Sequence, residues 1–157
     1  MLNNILFFLC FSIYFSYICN MNGHIIDNSK ALDFILAGKS LFTVKNSQSQ
    51  NRFTFKVTKH KKEDIFFVKV LTNPNVYEFI GTIIDKSFYH SKKSRISSNS
   101  QSFKVFSYIL NKLNDKSLPS FIEIWHEGHC GKCGKTLTDP DSIITGFGPF
   151  CFKSLNR

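Results

Sequence analysis

Three of the chain's five cysteines and two of its five histidines fall in HEGHCGKCGKTLTDPDSIITGFGPFC, residues 126–151. Cys130 and Cys133 lie two residues apart, each followed by glycine, and Cys151 comes after seventeen more residues. Such a pair forms a tight turn whose backbone amides point at both sulfurs and stabilise thiolates bound to a cation. Tetrahedral zinc takes four ligands and only three cysteines are at hand, so a histidine is the natural fourth. His126 precedes Cys130 by four residues at the end of a strand-like run, where the chain can fold the ring back over the turn. His129 adjoins Cys130, and adjacent side chains on an extended backbone point apart. The expected ligand set is therefore His126, Cys130, Cys133 and Cys151. His129, Asp139, Asp141, a water or a partner's residue are the alternatives for the fourth place.

The far end of the stretch suits the same purpose. Gly146 and Gly148 permit sharp backbone geometry, and Pro149 fits the first position of a helix, which puts Cys151 in that helix's first turn. A thiolate there gains from the helix's positive end. A knuckle on one side and a helix start on the other is broadly the plan of treble-clef zinc sites. A redox dithiol usually sits at a strand-to-helix junction of a βαβ unit, and no parallel pairing is expected here. Disulfides require an oxidising compartment and would leave one of these three thiols over. Glu127 follows His126 directly, whereas deaminase-type zinc sites place their glutamate two residues after the histidine and a proline before C-x-x-C. Three thiolates and an imidazole also saturate the metal, so the zinc is expected to be structural. With no paired carboxylates, activated nucleophile or phosphate-binding glycine loop, no enzyme is expected.

The elements that must position this site are legible upstream. Asp27, Asn28 or Ser29 can cap a short helix through Ala31, Leu32, Phe34, Ile35 and Leu36, with Gly38 placed to end it. Four strand-like runs follow at 41–45, 52–58, 65–71 and 76–84. In the second, Phe53, Phe55 and Val57 alternate with Arg52, Thr54, Lys56 and Thr58, the mark of a half-buried antiparallel strand. The third, IFFVKVL, is apolar on both faces and should lie centrally. Connections of about four to six residues fit hairpins and hence an up-and-down meander. Ser100 or Ser102 can cap a second helix whose Phe103, Phe106, Ile109, Leu110 and Leu113 recur at helical spacing. Residues 121–126, FIEIWH, form a fifth strand that leads directly into the cysteine cluster. The expected fold is α+β: a four-stranded antiparallel meander, two helices, a fifth strand and a small C-terminal zinc lobe. The domain proper covers residues 21–125 and the lobe covers 126–157, where zinc replaces a core that about thirty residues could not build alone.

At 157 residues the chain suits one domain with an appended lobe. Lys and Arg number 20 against 11 Asp and Glu, a net charge of +9 that draws polyanions such as nucleic acid toward the surface. Seventeen of the cations are lysine and only two residues are alanine, a bias that points to an AT-rich gene and weakens the argument from charge. Lys92, Lys93 and Arg95 stand with Phe88 and Tyr89 in a segment where charge could follow phosphate and rings could stack on bases; a solvated loop is the plainer reading. Lys132 and Lys135 flank the knuckle. Residues 1–20 contain no charge and include a nearly unbroken apolar run from Ile5 to Cys19. It lacks the positive start and cleavage site of a signal peptide and falls slightly short of a membrane span. Translation beginning at Met21 is the favoured explanation; a genuine leader would place the protein at a membrane or outside the cell instead of in the cytoplasm.

HEGHCGKCGKTLTDPDSIITGFGPFC resembles the C-terminal signature of an uncharacterised zinc-binding family common in phages, prophages and plasmids. His126, Cys130, Cys133, Leu137, Thr138, Pro140, Ser142, Ile143, Gly146, Gly148, Pro149 and Cys151 fit that signature, and Lys135 stands where the family has arginine. ALDFILAGKSLFTVKNSQSQNRFTFKV, FVKVLT and FIGTI are similar to earlier segments of its members, so the resemblance runs from about residue 29 to 152. It implies a zinc ligand set and a mobile-element setting, and no activity. Together with the charge, it leads to an expected non-enzymatic accessory protein that binds nucleic acid through Lys92, Lys93, Arg95, Lys132 and Lys135. The rival expectation is an interaction module that acts on a host protein.

Overall fold

The computed structural model describes residues 23–25 and 27–155. The apolar leader lies outside them. In chain order the elements are β1 (His24–Ile25), α1 (Asn28–Ile35), β2 (Lys39–Asn46), β3 (Arg52–Lys59), β4 (Ile65–Asn73), β5 (Val76–Ile84), β6 (Ser87–His90), α2 (Gln101–Asn114), β7 (Ile122–His126), α3 (Pro140–Thr145) and α4 (Pro149–Leu155). The strands make one antiparallel sheet in the order β1-β7-β2-β3-β4-β5-β6.

The expected α+β fold is what the chain adopts, with the meander formed by β2 to β5 and the fifth strand by β7 beside β2. Two short strands extend the sheet beyond that expectation. β6 continues the meander through a two-residue turn, Asp85 and Lys86, with φ of 49° and 61°. Both residues are left-handed, as in the type I′ turn that matches strand twist. β1 pairs with β7 through His24–Trp125 and Ile25–Ile124.

Local chemistry explains the helix starts. Asp27 accepts hydrogen bonds from the amides of Ser29 at 2.8 Å and Lys30 at 3.4 Å, and Ser100 accepts from Phe103 at 3.2 Å. Each capping side chain satisfies amides that the first turn leaves without an intrahelical partner. Both helices lie on one face of the sheet. Phe106 of α2 packs between Phe42 and Phe55, with ring centroids 6.5 and 5.0 Å away, and Phe34 of α1 meets Phe42 at 6.5 Å. Phe42, Val44, Phe55, Val57, Val68 and Val70 alternate toward these helices and are buried. Their neighbours along the strands point to the opposite face, which neither helix covers.

Candidate metal centre

β7 ends at His126, and the chain turns through Glu127 and Gly128 into a short hairpin. His129 and Thr136 form an isolated antiparallel bridge. The amide of Cys130 donates to the Lys135 carbonyl at 2.8 Å, and that of Gly134 donates to the Cys130 carbonyl at 2.8 Å. These bonds close the C-x-x-C turn. Asp139 then caps α3 by accepting from the Ser142 amide at 3.1 Å, and Gly146 ends it in the left-handed conformation. Pro149 opens α4 and Cys151 lies in its first turn, as the sequence predicts.

The outcome is a three-sulfur cluster: the sulfurs of Cys130, Cys133 and Cys151 all lie within 4.8 Å of one another. In a tetrahedral site with metal–sulfur bonds of about 2.3 Å, sulfurs stand about 3.8 Å apart, so the three fit a thiophilic ion with little adjustment. Their electrostatics are divided. Burial raises the Cys130 thiol, but the amides of Cys133, Gly148 and Lys132 and the Cys133 thiol together outweigh it, and Cys130 falls below its usual range. Cys151 is pushed up to about 11 by burial, by hydrogen bonds with Cys133 and Cys130, and by the charge those neighbours would carry. One thiolate is favoured and further ones are resisted, and a divalent cation among the sulfurs reverses that balance.

Residues 125–156 match the model of DUF6011, a family of unknown function. The matched segment takes in the end of β7 and all three cysteines. It leaves out residues 1–124. No curated protein and no solved structure matches the chain.

The structure does not place His126, the expected fourth ligand, in the sulfur group of the DUF6011 segment. Its ring is fully buried and both nitrogens are engaged: Nε2 meets the Ile143 carbonyl at 2.5 Å and Nδ1 accepts from the Gly128 amide at 3.1 Å. This arrangement fixes the tautomer with the proton on Nε2. Burial holds the ring below the usual histidine range. His126 thus ties the end of β7 to the end of α3. Among the other candidates for the fourth place, His129 Nδ1 bonds the Glu127 carbonyl at 2.8 Å and Asp139 is the α3 cap. Neither it nor Asp141 belongs to the sulfur group among the described residues.

The lobe is also less separate than its length suggests. Cys130, Leu137 and Phe147 join the same buried cluster as the sheet core. A Cβ on Gly131 would fall 2.7 Å from the Phe34 ring, and one on Gly146 would fall 2.9 Å from it. The knuckle and the end of α3 are therefore pressed against α1, and the Lys39 amide donates to the Gly131 carbonyl at 2.7 Å. Nothing in the sequence singled out Phe34 for this role, because its spacing reads only as part of an apolar stripe.

The candidate nucleic-acid residues fall at opposite ends. Lys92, Lys93 and Arg95 are exposed in the loop after β6, where Ser94 Oγ donates to the Phe79 carbonyl at 2.8 Å. Lys132 and Lys135 flank the knuckle beyond β7, and Lys132 Nζ donates to Ser154 Oγ at 2.6 Å. β6 and β7 are five strand steps apart, about 24 Å along the sheet. No helix among the described residues is long and apolar enough to cross a membrane.

Proposed function

We propose that this chain is a non-enzymatic, zinc-stabilised accessory protein of a mobile genetic element and that it binds nucleic acid. The observation that carries the zinc reading is the convergence of Cys130, Cys133 and Cys151 on a knuckle seated against α1. Zinc suits three thiolates and would supply structural cross-linking there. The resemblance to phage and plasmid proteins supports the mobile-element setting. The net charge of +9 and the exposed Lys92, Lys93 and Arg95 support attraction to phosphate.

Gel shifts across a salt series test this reading. Affinity should fall steeply with salt, and charge reversal at Lys92 and Lys93 should weaken binding across all sequences. An unchanged midpoint in that variant would remove those residues from the interface.

A second reading has its own observation. Ile144 and Phe150 of the lobe are 72% and 88% exposed, an apolar surface suited to a protein partner. In that case the lobe would rigidify a docking surface on which a host protein sits. A partner pulled down from host lysate and retained after nuclease treatment favours this second reading.

A further inference from the structure

The sheet face turned away from α1 and α2 is organised in rows. Strand register places Trp125, Thr43 and Thr54 opposite one another across β7, β2 and β3, and Leu71 stands opposite Tyr77 across β4 and β5. Phe55 pairs with Val70, so Thr54 and Leu71 are the next residues along and complete this row. In the next row Leu41 stands opposite Lys56, and Lys56 stands opposite Lys69. On the other side of the first row, Lys45 stands opposite Arg52. A groove of about 630 Å³ runs over this face, with Lys45, Arg52, Leu71, Trp125 and Glu127 among its walls.

Two features of this face call for an anion. Like charges directly opposite on neighbouring strands destabilise a sheet, yet Lys56–Lys69 and Lys45–Arg52 are both such pairs. Glu123 stands opposite Lys45 on β7 and accepts from Trp125 Nε1 at 3.0 Å, so the Lys45–Arg52 row has one carboxylate for two cations. Glu127 accepts from Thr43 Oγ1, and the register sets no carboxylate opposite Lys56 or Lys69. A phosphate chain across the face would neutralise the Lys56–Lys69 pair and the cation in excess of Glu123 at Lys45–Arg52.

The rings lie between the cations. Trp125 and Tyr77 are half-buried at the two ends of one row, about 19 Å apart along the sheet at four strand steps. Lys56 Nζ lies 5.6 Å from the Tyr77 centroid, and Phe67 meets Phe79 edge-on at 6.2 Å in neighbouring rows. Cations that follow a backbone, interleaved with rings that accept base faces, are the chemistry of single-strand recognition. Between the rings, Thr43 Oγ1 lies 2.7 Å from Thr54 Oγ1 and bonds Glu127 as well. These oxygens can exchange hydrogen bonds with a ribose 2′-hydroxyl, which DNA lacks.

We propose that the uncovered face of the sheet binds single-stranded RNA, with Trp125 and Tyr77 stacking on bases and Lys45, Arg52, Lys56 and Lys69 contacting phosphates. This rests on the nucleic-acid reading above and moves its centre from the loops to the sheet.

Trp125 is the chain's single tryptophan, so its fluorescence reports the face directly. A short oligouridylate titrated into the full-length, zinc-loaded protein should quench it and bind more tightly than the matching oligodeoxyuridylate. Trp125→Ala should weaken binding by about 5- to 100-fold, and Trp125→Phe by less. Lys56→Ala with Lys69→Ala should lower the slope of log affinity against log salt by about 1.4, from two contacts at about 0.7 each. The same double variant, without RNA, should melt at or above the parent temperature, because a repulsion has been removed; a lower melting temperature together with unchanged affinity would mean a purely structural pair. Binding that occurs but ignores Trp125, Lys56 and Lys69 overturns this face while the nucleic-acid reading survives. No binding to any nucleic acid overturns both. Equal affinity for the DNA strand, or a face covered by a second copy in a protein dimer that RNA does not disturb, also overturns it.

Discussion

His126 shows how a residue can fit a ligand pattern by spacing and be used differently by the fold. Four residues before Cys130 is a reachable distance for a ligand, and the sequence offers no sign that the Gly128 amide and Ile143 carbonyl will claim both ring nitrogens. His126→Gln should therefore keep one metal per chain by mass spectrometry under native conditions while losing stability, and a metal-free variant would show that the ring is a ligand after all. The buried ring adds a pH dependence. Unfolded, it titrates near 6.5. Folded, it takes its proton only at lower pH, because burial opposes the charge. Below 6.5 the unfolded chain binds a proton that the folded chain refuses, so this stability is complete above 6.5 and is lost as pH falls toward the folded value. Urea midpoints of the parent should drop across that window more than those of His126→Gln. The cysteines behave in the opposite sense to a preformed thiolate trio. With Cys151 pushed up to about 11, metal entry must displace protons, so affinity should rise with pH. Calorimetry in buffers of different ionisation enthalpy should show that proton release, and buffer-independent heats would contradict it.

At the scale of elements, legibility followed the strength of local signals. β3 was visible because Phe53, Phe55 and Val57 alternate with polar residues, and α2 because its apolar stripe follows a serine cap. Ser100, not Ser102, fills that cap, a choice that only the backbone geometry makes. β6 was read as loop because it is four residues long and its turn is Asp85-Lys86, without the Asn-Gly or Asp-Gly signature of type I′ hairpins. Lys86 occupies a left-handed conformation that costs a non-glycine residue about 1–2 kcal/mol. Lys86→Gly should return part of that, raising stability by up to about 1 kcal/mol in equilibrium unfolding; a loss would mean that the side chain contributes more than its strain. Gly131 illustrates the converse. Its place in C-G-x-C reads as room for the knuckle turn, but a Cβ there would collide with the Phe34 ring, a contact set by tertiary structure alone. Gly131→Ala should cost about 1–3 kcal/mol, as overpacking does, with the denaturation midpoint lowered and the slope unchanged.

For the whole molecule, the decisive relation is between a lobe built around three sulfurs that could hold a metal and a sheet that has its own core. Phe42, Phe55 and Phe106 pack together between the sheet and α2, whereas Cys130, Leu137 and Phe147 join the core beside Phe34 of α1, and Lys39 of β2 and His126 of β7 also bond the lobe. A cluster shared at one edge would couple the parts without making the sheet depend on an ion among the sulfurs. Removing metal with a strong chelator should therefore loosen residues 128–155 first. The amides of Cys130, Gly134 and Leu137, which hold the knuckle hairpin, should lose protection from hydrogen exchange, while those of the central strands β3 and β4 keep theirs. The Phe34 contacts with Phe147 and His126, at 5.6 and 5.7 Å, set how far the loosening spreads, because through Phe34 α1 touches both the lobe rings and Phe42. Exchange should rise in α1 to a lesser degree than in the lobe and should not rise in α2. Complete loss of protection throughout the chain on chelation would make zinc the organiser of the entire fold, and no change anywhere would deny the three thiols a metal in the native protein.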